Sequence, residues 1–167
     1  MTELGFYRLT RTPLEEALPR LLEKVVESGK RAVLRAGDEE RLEALNRSLW
    51  TYENDSFLPH GTRADGSADA QPVFLTTAVE NPNGAAILVL VDAAEAPDLA
   101  GFDRCLELFD GRDERAVALA RERWRASLAA GHTVVYWRQN ERGGWVRGGG
   151  GGSGGRPDPS RPGDPSL

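Results

Sequence analysis

The unbroken apolar run Ala86-Ile87-Leu88-Val89-Leu90-Val91 constrains the fold of this chain more than any other stretch. A strand so apolar has no face suited to water, so it belongs in the middle of a sheet covered by helices on both sides. The rest of the chain supplies partners for it. Gly5-Phe6-Tyr7-Arg8-Leu9, Arg31-Ala32-Val33-Leu34-Arg35 and Val73-Phe74-Leu75-Thr76 are further short runs of strand-forming residues. Cys105-Leu106-Glu107-Leu108-Phe109 alternates around Glu107, and Thr133-Val134-Val135-Tyr136-Trp137 closes the domain.

Helical patterns lie between these runs. Leu14, Ala17, Leu18, Leu21, Leu22 and Val25 recur at helical spacing after Pro13, which suits an early helical position, and Gly29 ends the segment. Pro19 interrupts the pattern and is expected to kink the helix or delay its start. Asp38 can cap a second helix carried by Leu42, Leu45 and Leu49 up to Trp50, and Asp113 a third over 113–130, stopped by Gly131. Residues 51–72 are polar and glycine-bearing and read as a long surface excursion. This alternation predicts an α/β fold, a three-layer sandwich with a mostly parallel sheet flanked by helices.

A length of 167 residues suits one domain, read here as 1–147. From Gly148 the chain is Gly, Ser, Pro, Arg and Asp with Leu167 as its one apolar side chain, so 148–167 is expected to be a disordered tail. Gly150, Gly152 and Gly155 match a dinucleotide fingerprint in spacing, but no strand precedes them and no helix follows. The net charge of −5 argues against gripping a phosphate backbone, so contact with DNA is expected to be indirect. Cys105 is the single cysteine, which excludes an internal disulfide, and no Cys/His cluster suits zinc. No leader pattern and no membrane-spanning apolar run is present, so a soluble cytoplasmic protein without a membrane partner is expected.

The parts of a nucleotide-dependent enzyme are missing. No Gly-x-x-x-x-Gly-Lys-Ser/Thr occurs, and neither Lys24 nor Lys30 follows a glycine-rich turn. His60 and His132 carry no Ser or Cys motif beside them, and Cys105 in a strand pattern reads as a small buried apolar residue. Asp103, Glu107, Asp110 and Asp113 are the best carboxylate set for a metal, yet read as a solvated acidic edge. No catalytic residue, cofactor or metal is expected. The alternative is a degenerate nucleotide-dependent hydrolase or nuclease on the same sheet; a single-strand binder using Trp50 and Trp124 is a third reading, which the acidic charge disfavours.

The third helix is different. At 100° per residue, Arg121, Trp124, Arg125 and Leu128 share an arc of roughly 100°, with Val117 between them. Two guanidinium groups flanking an apolar strip can accept a peptide with an apolar anchor and acidic flanks. The plainer reading buries Trp124 and Leu128 in the core and pairs the arginines with Glu122 and other acids. Trp50 and Phe57 are open to the same two readings, a partner surface or the core.

Taken in order, Phe6-Tyr7, Gly29-Lys30-Arg31, Leu49-Trp50, Ser56-Phe57-Leu58-Pro59-His60, Ala120-Arg121-Glu122-Arg123-Trp124-Arg125 and Trp137 resemble the chi subunit family of bacterial DNA polymerase III holoenzyme. The resemblance covers nearly the whole domain and leaves out the tail from Gly148. It implies a Rossmann-like fold without catalysis and an accessory, adaptor function in DNA replication. In that family the partner is the acidic C-terminal peptide of single-stranded DNA-binding protein, which ends in aspartates followed by Ile-Pro-Phe. Arg121, Trp124 and Arg125 match the gripping helix, where relatives commonly show Arg, Tyr and Lys, and Val117 stands where some relatives carry a basic residue. Trp50 and Phe57 match a second surface, which the resemblance assigns to the psi subunit of the clamp loader or to a repair helicase.

Overall fold

The computed structural model describes residues 2–51, 58–92, 94–96, 99 and 101–147. Among them an eight-stranded sheet runs in the order β3-β4-β2-β5-β6-β1-β7-β8. The strands are β1 (Glu3–Leu9), β2 (Ala32–Arg35), β3 (His60–Thr62), β4 (Val73–Thr76), β5 (Ile87–Leu90), β6 (Arg104–Asp110), β7 (Thr133–Gln139) and β8 (Trp145–Arg147). All neighbours pair in parallel except β7 and β8. The helices are α1 (Leu14–Glu27), α2 (Glu39–Thr51) and α3 (Glu114–Ala129). The α/β sandwich predicted from the apolar runs is thus the observed fold.

β5 sits between β2 and β6, with Ile87, Leu88 and Val89 fully buried, as its uniform apolarity requires. Alternation along each strand divides the interior into two layers. Tyr7, Leu34, Val89 and Leu108 meet the apolar stripes of α1 and α2. Leu4, Phe6, Val33, Leu88 and Cys105 face the other way, toward α3.

Local signals explain the helix ends. Asp38 Oδ1 accepts the Arg41 N–H at 2.7 Å, and Gly29 takes the left-handed conformation (φ 80°) just past α1. The expected delay at Pro19 does not occur: α1 starts at Leu14 and runs through the proline. The buried Pro19 ring belongs to the apolar stripe with Leu18 and Leu22, and that packing outweighs the missing N–H.

Two expectations are corrected. The excursion over 51–72 contains β3, whose His60-Gly61-Thr62 pairs with Val73-Phe74-Leu75 of β4, and two short 3-10 turns at Arg63–Asp65 and Ala68–Ala70. A three-residue strand with one glycine has no apolar period to betray it. Nor does β7 close the domain at Trp137, because the chain turns through Gly143 (φ 79°) and returns as β8. Gln139 locks this hairpin to the β1–α1 connection. Its Oε1 accepts the backbone N–H groups of Thr10 (2.9 Å), Arg11 (2.9 Å) and Thr12 (3.3 Å), and its Nε2 donates to Thr12 Oγ1 at 2.6 Å.

Candidate functional site

α3 is held at its start by Asp113, whose Oδ1 accepts from the Arg115 N–H at 2.9 Å. It packs over β6, β1 and β7, and Ala120 is its one buried residue. A small side chain there lets the helix approach the sheet while leaving the flanks of α3 accessible.

The side turned toward the sheet carries Arg123, which donates from Nη1 to Glu107 Oε1 at 2.6 Å and to the Ala94 carbonyl at 2.9 Å. Burial, opposed by the charge and hydrogen bond of Arg123, holds the Glu107 carboxyl above its ordinary value. Burial likewise pushes the neighbouring Cys105 thiol up to about 12, with the Glu107 charge adding to the effect. A thiol so placed is a poor nucleophile.

The flank of α3 near β7 carries the residues singled out from the sequence. Trp124 is half-buried, its ring 5.7 Å from that of Phe6 and 5.9 Å from that of Tyr136, edge-on to the latter at 81°. Val117 is half-buried two helical turns before it, and Leu128 is 44% exposed. Arg121 and Arg125 are exposed, and their guanidinium groups form no hydrogen bond or ion pair among the described residues. Of the two readings of this helix, the plainer one holds in part for Trp124, which packs against the core layer beneath α3, while Leu128 is exposed and the two arginines have no acid partner among the described residues. Such a face can hold an apolar side chain against Trp124 and carboxylates at either arginine.

Phe6 and Tyr136, whose rings pack against Trp124, were not singled out from the sequence, since each reads locally as an ordinary strand aromatic. Their register across β1 and β7 is what puts both under Trp124.

Trp50 lies at the other end of the sheet from α3. Trp50, near the end of α2, is 52% exposed, and its ring sits 4.2 Å from that of His60 on the edge strand β3. His60 is buried, with Nδ1 2.6 Å from the Leu58 carbonyl oxygen. Phe57 and the tail 148–167 lie outside the described residues.

A crevice of about 600 Å³ opens at the carboxyl ends of β1 and β6, the position where sheets of this kind hold ligands. Acids dominate it: Arg41 is already held by Glu15 at 2.9 Å and Asp92 at 2.6 Å, and Asp110 lies 3.6 Å from Arg112. The carboxylates considered for a metal are dispersed, Glu107 to Arg123 and Asp113 to the α3 cap. Among the described residues no group of three or more His, Cys, Asp or Glu side chains could hold a metal ion, and no helix is long and apolar enough to cross a membrane.

Residues 1–135 match the family model described as DNA polymerase III chi subunit, HolC. Two curated proteins are similar to the chain. One, from Rickettsia prowazekii (strain Madrid E), carries the name "Probable DNA polymerase III subunit chi" and is 29% identical over 109 residues, covering 65% of this chain and 66% of its own length. The other, DNA polymerase III subunit chi of Escherichia coli (strain K12), is 26% identical over 142 residues, covering 80% of this chain and 96% of its own length.

Proposed function

The chain belongs to the DNA polymerase III chi subunit family, and from that membership we propose that it is a non-catalytic adaptor of the replicative holoenzyme. On this reading α3 binds the acidic C-terminal tail of single-stranded DNA-binding protein, and the domain links that protein to the clamp loader. The observation that carries the reading is the flank of α3, where two exposed, unpaired guanidinium groups border the half-buried Trp124. A protein of net charge −5 that leaves two cations uncompensated beside an aromatic floor has a surface complementary to an acidic peptide.

Arg121 and Arg125 serve as carboxylate partners, Trp124 as the wall for the peptide's terminal apolar side chains, and Val117 and Leu128 extend that wall. Trp50 and Phe57 form the second surface, for the psi subunit or a repair helicase. Support for it comes from the exposed indole of Trp50 at the edge of the sheet remote from α3, so that both partners could be held at once.

The test is titration of a fluorescent peptide ending in aspartates and Ile-Pro-Phe into the full chain, beside a peptide lacking the terminal Phe. Saturable binding of the first and not the second supports the reading. Equal binding of both would mean that the aromatic wall takes no part.

A further inference from the structure

Phe6 and Tyr136, the floor beneath Trp124, are followed two residues later on the same strands by Arg8 and Arg138, which therefore lie on the same face of the sheet. These two arginines are direct register partners across β1 and β7. Across β7 and β8, Arg138 stands opposite Val146. The aromatic floor thus continues off α3 onto a pair of adjacent cations bordered by an apolar residue of the terminal hairpin.

Neither cation is neutralised. Arg138 is exposed, and its guanidinium group forms no hydrogen bond or ion pair among the described residues. Arg8 is half-buried and donates only to uncharged acceptors, the Tyr136 hydroxyl at 3.5 Å and the Gly111 carbonyl at 3.1 Å, while its Nε is buried without a partner. Its place is built: a Cβ on Gly111 would come 2.5 Å from Arg8 Cγ and 2.7 Å from Nε, so the glycine makes room for the guanidinium to lie there. An arginine held in one position loses little freedom on binding a carboxylate.

We propose that the peptide site extends from α3 across the sheet face, and that Arg138 and Arg8 take carboxylates lying upstream of those held by Arg121 and Arg125. The extension rests on the reading of α3 as an acidic-peptide site. The occupant is a peptide rather than a nucleic acid because the cations lie in one short row on a chain that is acidic as a whole. Arg138 and β8 lie beyond residues 1–135, so this part of the surface is not covered by the family model.

Two labelled peptides separate the possibilities, a short one with a single Asp before Ile-Pro-Phe and a long one with four further acidic residues upstream. Arg138→Ala is expected to weaken the long peptide roughly tenfold and leave the short one unchanged, with the melting temperature unaltered because Arg138 is exposed. Arg138→Glu is expected to weaken the long peptide further, and Arg8→Lys, which keeps the charge but not the fork, to weaken it less. Equal affinity of wild type and Arg138→Glu for the long peptide overturns the extension alone. If Arg121→Ala and Arg125→Ala also change nothing, the reading of α3 itself fails. Arg138-dependent binding of a labelled single-stranded oligonucleotide, with no effect on either peptide, would assign the row to nucleic acid and overturn the proposal.

Discussion

Arg123 donates from Nη1 to Glu107 Oε1 at 2.6 Å, a partly buried contact that fastens α3 to β6 from beneath. It separates the arginines of one short segment by task. Arg123 orients the helix, and Arg121 and Arg125, turned away from the sheet, stay free of partners among the described residues.

A pH dependence follows from Glu107. Its folded-state pKa is raised by burial, against the pull of Arg123, so its contribution to stability is fully present below the unfolded value of about 4.3 and is lost as pH rises through the higher folded value. Glu107→Gln is therefore expected to gain stability relative to wild type as pH climbs from about 4 toward neutrality. Urea denaturation of both proteins across that range measures the difference. A wild type that gains on the variant would show that the ion pair outweighs burial.

Arg121→Ala and Arg125→Ala are each expected to weaken the acidic peptide by about ten- to a hundredfold, through loss of a charge-assisted hydrogen bond worth about 1.5–3 kcal/mol. The loss shrinks as salt rises. Both side chains are exposed, so melting temperatures stay at the wild-type value. Fluorescence anisotropy at two salt concentrations reads the effect, and wild-type affinity for both variants would remove the arginines from the site.

Gln139→Ala leaves three successive backbone N–H groups of the β1–α1 connection without their acceptor. A cost of roughly 2–3 kcal/mol is expected, since one group loses its partner inside the protein and the others gain water only by loosening the turn. Chemical denaturation checks it. A change below about 0.5 kcal/mol, the range of an ordinary surface substitution, would show that solvent replaces the amide freely.

Trp50→Ala is expected to leave peptide affinity unchanged, because α3 and β3 lie at different ends of the sheet, and to abolish capture of the second partner. The indole is about half exposed, so a modest loss of stability, about 1 kcal/mol, accompanies the change. Parallel peptide titration and pull-down with purified psi subunit or helicase separate the two effects. Loss of peptide binding would mean that the surfaces are coupled.

Much of the architecture was legible in the chain itself. The uniform apolarity of Ile87 to Leu90, the stripe of α1 and the caps Asp38 and Asp113 each reflect local physics: burial on two faces, a helical period, an N–H group needing an acceptor. β3 and β8 escaped because three-residue edge strands are held by a neighbour's backbone hydrogen bonds rather than by their own side-chain pattern. For the candidate site, the sequence determined that Arg121, Trp124 and Arg125 share a helical face, which follows from a period of 3.6. Only the tertiary structure decided that Trp124 would rest half-buried on Phe6 and Tyr136, that Arg123 would turn inward to Glu107, and that Arg8 and Arg138 would stand side by side. Those relations join segments more than a hundred residues apart, or a helix to a strand, and arise from the register of β1 against β6 and β7, which no local period encodes.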